Sequence, residues 1–337
     1  MNEKPLRFLR YFIFSRYDVD LLREDQIYSW LVKNESLCGY ATAPLRFAEE
    51  LATAALAYRY FLRGRDHTGH ENPVVQNIQL LGGSAARQHL ILLLAGRHLS
   101  ADLFARLCME VEALFFVYVI TREPTRDFER NFARWAMDIR KVKSAAELSE
   151  VIAKRFTPAK GDLAARFDDA LRRLAADDVQ KYRLRYILAK LTQRVDLDGF
   201  GEHQGTKWLS RYAGGDFEIE HVFPQNPSLE ASDEFGDGAD STIAARLGNL
   251  VLIEKSINGA LGNKPFSQKR AVYMQSQALL SRSIAQRPEV GQNTKIDGAV
   301  APFTPFQTWN AATIAMRQDQ LVALAKRVWN MPNMTQP

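Results

Sequence analysis

The chain has 337 residues, room for two or three domains and at least one sizeable core. A hydrophobic content of 46% beside 25% charged residues is that of a folded globular protein and excludes a disordered or low-complexity chain. The net charge of +5 is too small to name a partner, so the local placement of charge carries more weight.

The most apolar runs, 90–95 and 113–120, are too short for a membrane span and suit buried helices. Met1–Arg10 is charged and no small-residue cleavage site follows, so no secretory leader is expected. The two cysteines, Cys38 and Cys108, are far apart and read as small core residues, which fits a cytoplasmic location.

Taken in order, residues 1 to about 200 read as helix after helix. Helices are expected over 6–14, 26–33, 44–63, 85–97, 101–121, 127–139, 145–155, 163–175 and 178–191. In 127–139 the side chains of Phe128, Phe132, Trp135 and Ile139 form one stripe. Glycines 199, 201, 205, 214 and 215 then cluster among polar residues, which predicts a domain boundary near 195. Beyond it, 217–223 and 250–253 suit short strands, 228–242 an acidic loop, 266–285 a helix and 292–305 a loop. Asn310 is expected to cap a last helix that turns Ile314, Leu321, Leu324 and Val328 inward.

Charge changes sign across this second region. Residues 216–240 hold eight carboxylates and no Lys or Arg, whereas 246–287 holds seven Lys or Arg against Glu254 alone. An acidic segment before a basic one is how a cation site beside a phosphate track would look. The run Phe217-Glu218-Ile219-Glu220-His221-Val222-Phe223-Pro224-Gln225 puts a carboxylate next to a histidine. His221 has the intrinsic pKa to take a proton from water near neutral pH. Glu220 offers a hard oxygen ligand and Asn258 a neutral one, a donor set suited to a loosely held Mg²⁺ or Mn²⁺. Asn249, in Leu247-Gly248-Asn249-Leu250-Val251-Leu252, is expected to bond His221 and orient its ring. Lys264, Lys269 and Arg270, in the basic stretch, are candidate phosphate contacts. Together these groups would supply an activated water and a cation on the scissile phosphate of a phosphodiester.

Glu220-His221-Val222-Phe223-Pro224-Gln225, the Leu-Gly-Asn-Leu-Val-Leu segment, Asn258, the segment Asn263-Lys264-Pro265-Phe266-Ser267-Gln268-Lys269 and Tyr273 resemble the HNH (His-Me finger) nuclease module. The step from Asn249 to Asn258 is similar to that in the HNH domains of RNA-guided nucleases. More narrowly, with Trp309, Arg317 and Trp329, the region from about 195 resembles the C-terminal nuclease domain of GmrSD-type, type IV modification-dependent restriction enzymes. Phosphorothioate-sensing defence nucleases share the plan. The resemblance implies a mainly α fold: a helical region, 1–195, followed by an HNH domain, 196–337, with a ββα-metal motif embedded in helices. It implies a metal-dependent DNA endonuclease or nickase of a defence system. His221 would be the base, Asn249 its orienting residue, and Glu220 and Asn258 the metal ligands. The helices of 1–195 resemble the region joining a ParB-like NTPase module to such a nuclease, so an NTPase partner or subunit is expected. The competing expectation is a non-catalytic subunit that binds nucleic acid or docks an NTPase sensor. DNA and RNA are not distinguished by these residues.

Overall fold

Most of the apolar residues recur at helical spacing, and helices follow. The computed structural model describes residues 4–83, 86–202, 205–288 and 294–332; residue 85 of one expected helix and residues 292–293 of one expected loop lie outside them. The chain divides into two compact units, residues 1–164 with 332–337, and residues 165–331.

In the first unit, the helices Pro5–Arg16, Pro44–Phe61 and Pro73–Gly82 each begin on proline, whose fixed φ suits the first helical position. His89–Ala95 is buried on every side, which accounts for its unbroken apolar run. It packs against Pro5–Arg16 and Thr125–Ile139. The stripe Phe128, Phe132, Trp135 and Ile139 is buried as its spacing predicts. No helix among the described residues is long and apolar enough to cross a membrane.

The second unit is also mainly helical and holds a small antiparallel sheet. Strand β1 (Phe217–His221) pairs with β2 (Leu250–Glu254), with Glu218 opposite Ile253, Glu220 opposite Val251 and His221 opposite Leu250. The helix Lys255–Asn258 follows β2 directly. The long helix Lys181–Phe200 packs on β2 and on the helices Leu279–Arg282, Lys295–Val300 and Ala311–Val328.

The units part at Ala164–Ala165 rather than near 195. Polar side chains tie 165–195 to the hairpin. Arg185 donates to the carbonyls of Gly214 at 2.7 Å and Phe217 at 2.9 Å, fixing the entry to β1. The Gln318 amide donates to Leu171 O at 2.7 Å, and its oxygen accepts from Gly248 N–H. Within the glycine cluster, Gly201 has a φ of 75° and ends the helix at Phe200 instead of opening a linker.

Three other segments differ from expectation. Residues 228–242 are not a loop: Ser228 caps Leu229–Phe235 and Asp240 caps Ser241–Ala245. The helix at 266 stops at Tyr273, because the chain turns there to give Glu254 two hydrogen bonds, from Ser276 Oγ and Gln277 N–H. Lys295–Val300 is helical, with a capping box between Thr294 and Asp297. Asn310 caps the last helix as predicted.

Candidate active site

Strand β1 ends at His221 because the next two residues turn to meet Asn249. Val222 N–H donates to Asn249 O at 2.9 Å and Phe223 N–H to Asn249 Oδ1 at 2.8 Å. The amide nitrogen of Asn249 donates to Phe223 O and Ala244 O, each at 2.8 Å. Trp309 Nε1–H reaches Asn249 Oδ1 at 2.9 Å. Two donors and two acceptor sites are then all in use. Asn249 is fully buried and its side chain is committed to the turn and to Trp309, so the expected bond to the His221 ring is not made.

Lys269 likewise departs from expectation. Its side chain is 0% exposed and out of reach of a phosphate backbone. The ammonium donates to Glu220 Oε1 at 2.7 Å, His221 O at 3.0 Å and Val222 O at 3.2 Å. Three donors meet three acceptors, so a buried cation is satisfied in full. Burial pushes the Glu220 carboxyl up and the Lys269 ammonium down, and each opposes the shift of the other. Arg270 is half-buried and donates to Ala285 O at 3.3 Å. Lys264 is exposed, with one bond to Ala260 O at 2.9 Å.

His221 is half-buried. Its Nε2 is shielded from solvent and has no hydrogen-bond partner. Burial lowers its pKa below the ordinary value of 6.5, the Lys269 ammonium lowers it further, and Asp177 acts the other way. The imidazole is therefore neutral at neutral pH, the form that accepts a proton.

Strand alternation sets Glu218 and Glu220 on the face that Val251 and Ile253 share, and His221 on the other. On the glutamate face Asn258 Nδ2 donates to Glu218 Oε2 at 2.6 Å. Asn258 Oδ1 is buried without a partner. Asn258 and the β1 glutamates are thus the groups that could hold a divalent cation. Among the described residues no three His, Cys, Asp or Glu side chains gather as a cage. The donor set fits a cation that keeps most of its water, as Mg²⁺ does.

With this geometry, the comparison with known families is specific. Residues 163–324 match the family of GmrSD restriction endonucleases, C-terminal domain. The match spans a little under half of the chain. The start of the match falls beside the division between the compact units. The match points to an endonuclease of the restriction type, with DNA as the implied substrate. No curated protein matches the chain.

Several residues that build the candidate site were not singled out from sequence for the roles they play. Arg317 donates to Gly248 O and Leu250 O, each at 2.7 Å, and burial lowers its pKa to about 10. Arg317 and Gln318 lie three and four residues after Ile314, in phase with the buried stripe, a signal that a polar side chain is turned inward. Glu218 lies two residues before Glu220 and so shares its strand face. Trp309 is buried and also carries a directed N–H bond.

Proposed function

We propose that the matched region hydrolyses phosphodiester bonds of DNA with His221 as general base and a divalent cation held at Asn258 and a β1 carboxylate. The β1, β2 and Lys255–Asn258 succession supports an HNH-type ββα arrangement. The observation that carries the reading is the neutral, half-buried His221 ring at the end of β1, with Nε2 unpartnered.

In the proposed step, His221 takes a proton from water as the water oxygen attacks phosphorus. The P–O bond to the leaving sugar oxygen breaks, and that oxygen departs as an alkoxide that takes up a proton from solvent. When bound, the cation supplies Lewis-acid charge at the scissile phosphate. Asn249 and Lys269 hold the backbone that carries His221, so the ring does not depend on a mobile loop. Lys264, exposed within the basic stretch, is the proposed phosphate contact. The helical first unit is proposed to dock an NTPase-type partner, a role supported by the exposed apolar side chains of Tyr28, Val32, Leu37 and Leu45.

The test is incubation of the purified chain with supercoiled plasmid and Mg²⁺ or Mn²⁺, with and without EDTA, beside His221→Ala. Conversion to open-circular or linear DNA by the wild type, blocked by EDTA and absent in the variant, is the expected result. Cleavage that survives EDTA would remove the metal from the mechanism. Cleavage equal in both proteins would remove His221.

A further inference from the structure

Away from the Glu-His motif, the second unit leaves one tryptophan half-exposed. Trp309 and Trp329 are fully buried, whereas Trp208 sits in the turn before the helix Ser210–Ala213 and is open to solvent on part of its surface. The turn is anchored: the buried Gln193 donates to Thr206 O at 2.8 Å, and Trp208 N–H donates to Gly205 O at 3.0 Å. The ammonium of Lys207 lies 5.7 Å from the centroid of the Trp208 ring. One turn on, Arg211 N–H donates to Trp208 O at 3.1 Å. Arg211 lines a cleft of about 490 Å³ with Asp216, Phe217, Lys255, Ser256 and Gln277. Lys255 and Ser256 are exposed there, and Lys255 makes no ion pair among the described residues. Glu254, also in the lining, is already committed to Ser276 Oγ at 2.9 Å and Gln277 N–H at 2.8 Å.

We infer that Trp208 and this cleft hold an unpaired stretch of the DNA strand a few nucleotides from the cut, with a base stacked on Trp208 and phosphates met by Lys207, Arg211 and Lys255. The inference rests on the DNA reading given above. An indole left partly open beside cations is a surface that binds single strands of any sequence, because every base has a π-face and every nucleotide a phosphate. The position also fits. Phe217, in the cleft lining, starts β1 and His221 ends it, about 13 Å away at the usual strand rise. That distance is about four nucleotide steps on one strand. A strand seated in the cleft therefore reaches His221 without a second contact surface between them.

The test is fluorescence anisotropy of the full chain in EDTA, with a labelled single strand of about 15 nucleotides and its duplex, beside thermal melts. Trp208→Leu is expected to weaken single-strand binding about tenfold or more, and duplex binding far less, at an unchanged melting temperature. Trp208→Phe is expected to recover most of the affinity, because a flat ring remains. Lys255→Ala is expected to lower the salt slope for the single strand by about 0.7. If Trp208→Leu fails to fold, a single strand carrying iodouracil is expected to crosslink to Trp208 of the wild type on irradiation, as located by mass spectrometry. Equal single-strand affinity in wild type and Trp208→Leu, equal losses on single strand and duplex, or crosslinks only elsewhere would overturn the inference. None of these outcomes touches plasmid cleavage by the wild type, so the nuclease reading stands or fails on its own assay.

Discussion

In the first unit, large buried rings meet one another. Phe61 stacks on Phe104 with centroids 5.6 Å apart, and Phe128 packs edge-on to Phe132 at 6.0 Å. In the second unit, several buried side chains end in hydrogen bonds aimed at backbone atoms between His221 and Leu250. Asn249 holds Phe223 N and O, Lys269 holds His221 O and Val222 O, and Arg317 holds Gly248 O and Leu250 O. An apolar core is held by area and shape and tolerates repacking. A backbone held by directed bonds tolerates little, because each lost partner strands a buried polar atom. The hairpin that carries the candidate site is the part of the molecule built in the second way.

The sharpest way to break this contrast is at Gly248. A Cβ there would lie 2.3 Å from Ile314 O, a backbone atom of the C-terminal helix. Gly248→Ala is expected to cost about 3 kcal/mol or more and to abolish cleavage, read by chemical denaturation and plasmid assay. Wild-type stability in that variant would show that the helix is not closely seated on the loop. Asn249→Leu should follow closely, at about 3 kcal/mol, since it strands the Phe223 amide and the Trp309 N–H. Its counterpart in the first unit, Phe132→Leu, should cost only about 1.5 kcal/mol and leave cleavage by the folded protein intact.

The same contrast explains what was readable in the sequence. Repeating apolar spacing gave the helices 101–120 and 125–139, the two strands and the Asn310 cap, because each is decided by local pattern. The first strand is shorter than the expected 217–223 and ends at His221, where Asn249 takes the next two backbone N–H groups. The partners of Asn249 and Lys269 were out of reach, because a buried lysine and a surface lysine are the same letter. What separates them is a bond across 48 residues to His221 O. The boundary was displaced for a related reason: Gly201 ends a helix locally, while Arg185 and Gln318 bind 165–195 to the hairpin over long sequence distances.

A gentler probe is pH. Burial raises the Asp196 carboxyl from 3.8 to about 6, against the hydrogen bonds from Leu279 N–H and Tyr212 O–H. Its contribution to stability is full below about pH 3.8 and is lost as pH rises through about 6. Asp196→Asn should match the wild type at pH 4 and exceed it by on the order of 2 kcal/mol at pH 7.5, measured by denaturant unfolding. In the first unit His89 runs the other way. Burial lowers its pKa from 6.5 to about 3, so its contribution is present above 6.5 and lost as pH falls toward 3. If the Asp196→Asn advantage were the same at both pH values, the carboxyl would not be titrating as its surroundings dictate.

The smallest effect is expected on the surface. Lys264→Ala should leave stability unchanged and weaken DNA binding modestly, reducing the salt dependence by about one ion. Lys269→Met, by contrast, should act through folding, because its ammonium never reaches solvent. Equal effects of the two on DNA affinity at unchanged stability would contradict the division drawn between them.

The most direct measurement is the single-turnover cleavage rate of wild type and His221→Ala on the same plasmid with Mg²⁺, in samples whose melting temperatures are matched. A base at His221 predicts a loss of roughly 10²–10⁴-fold with the fold intact. Equal rates in the two proteins would contradict the reading of His221 as the group that activates water.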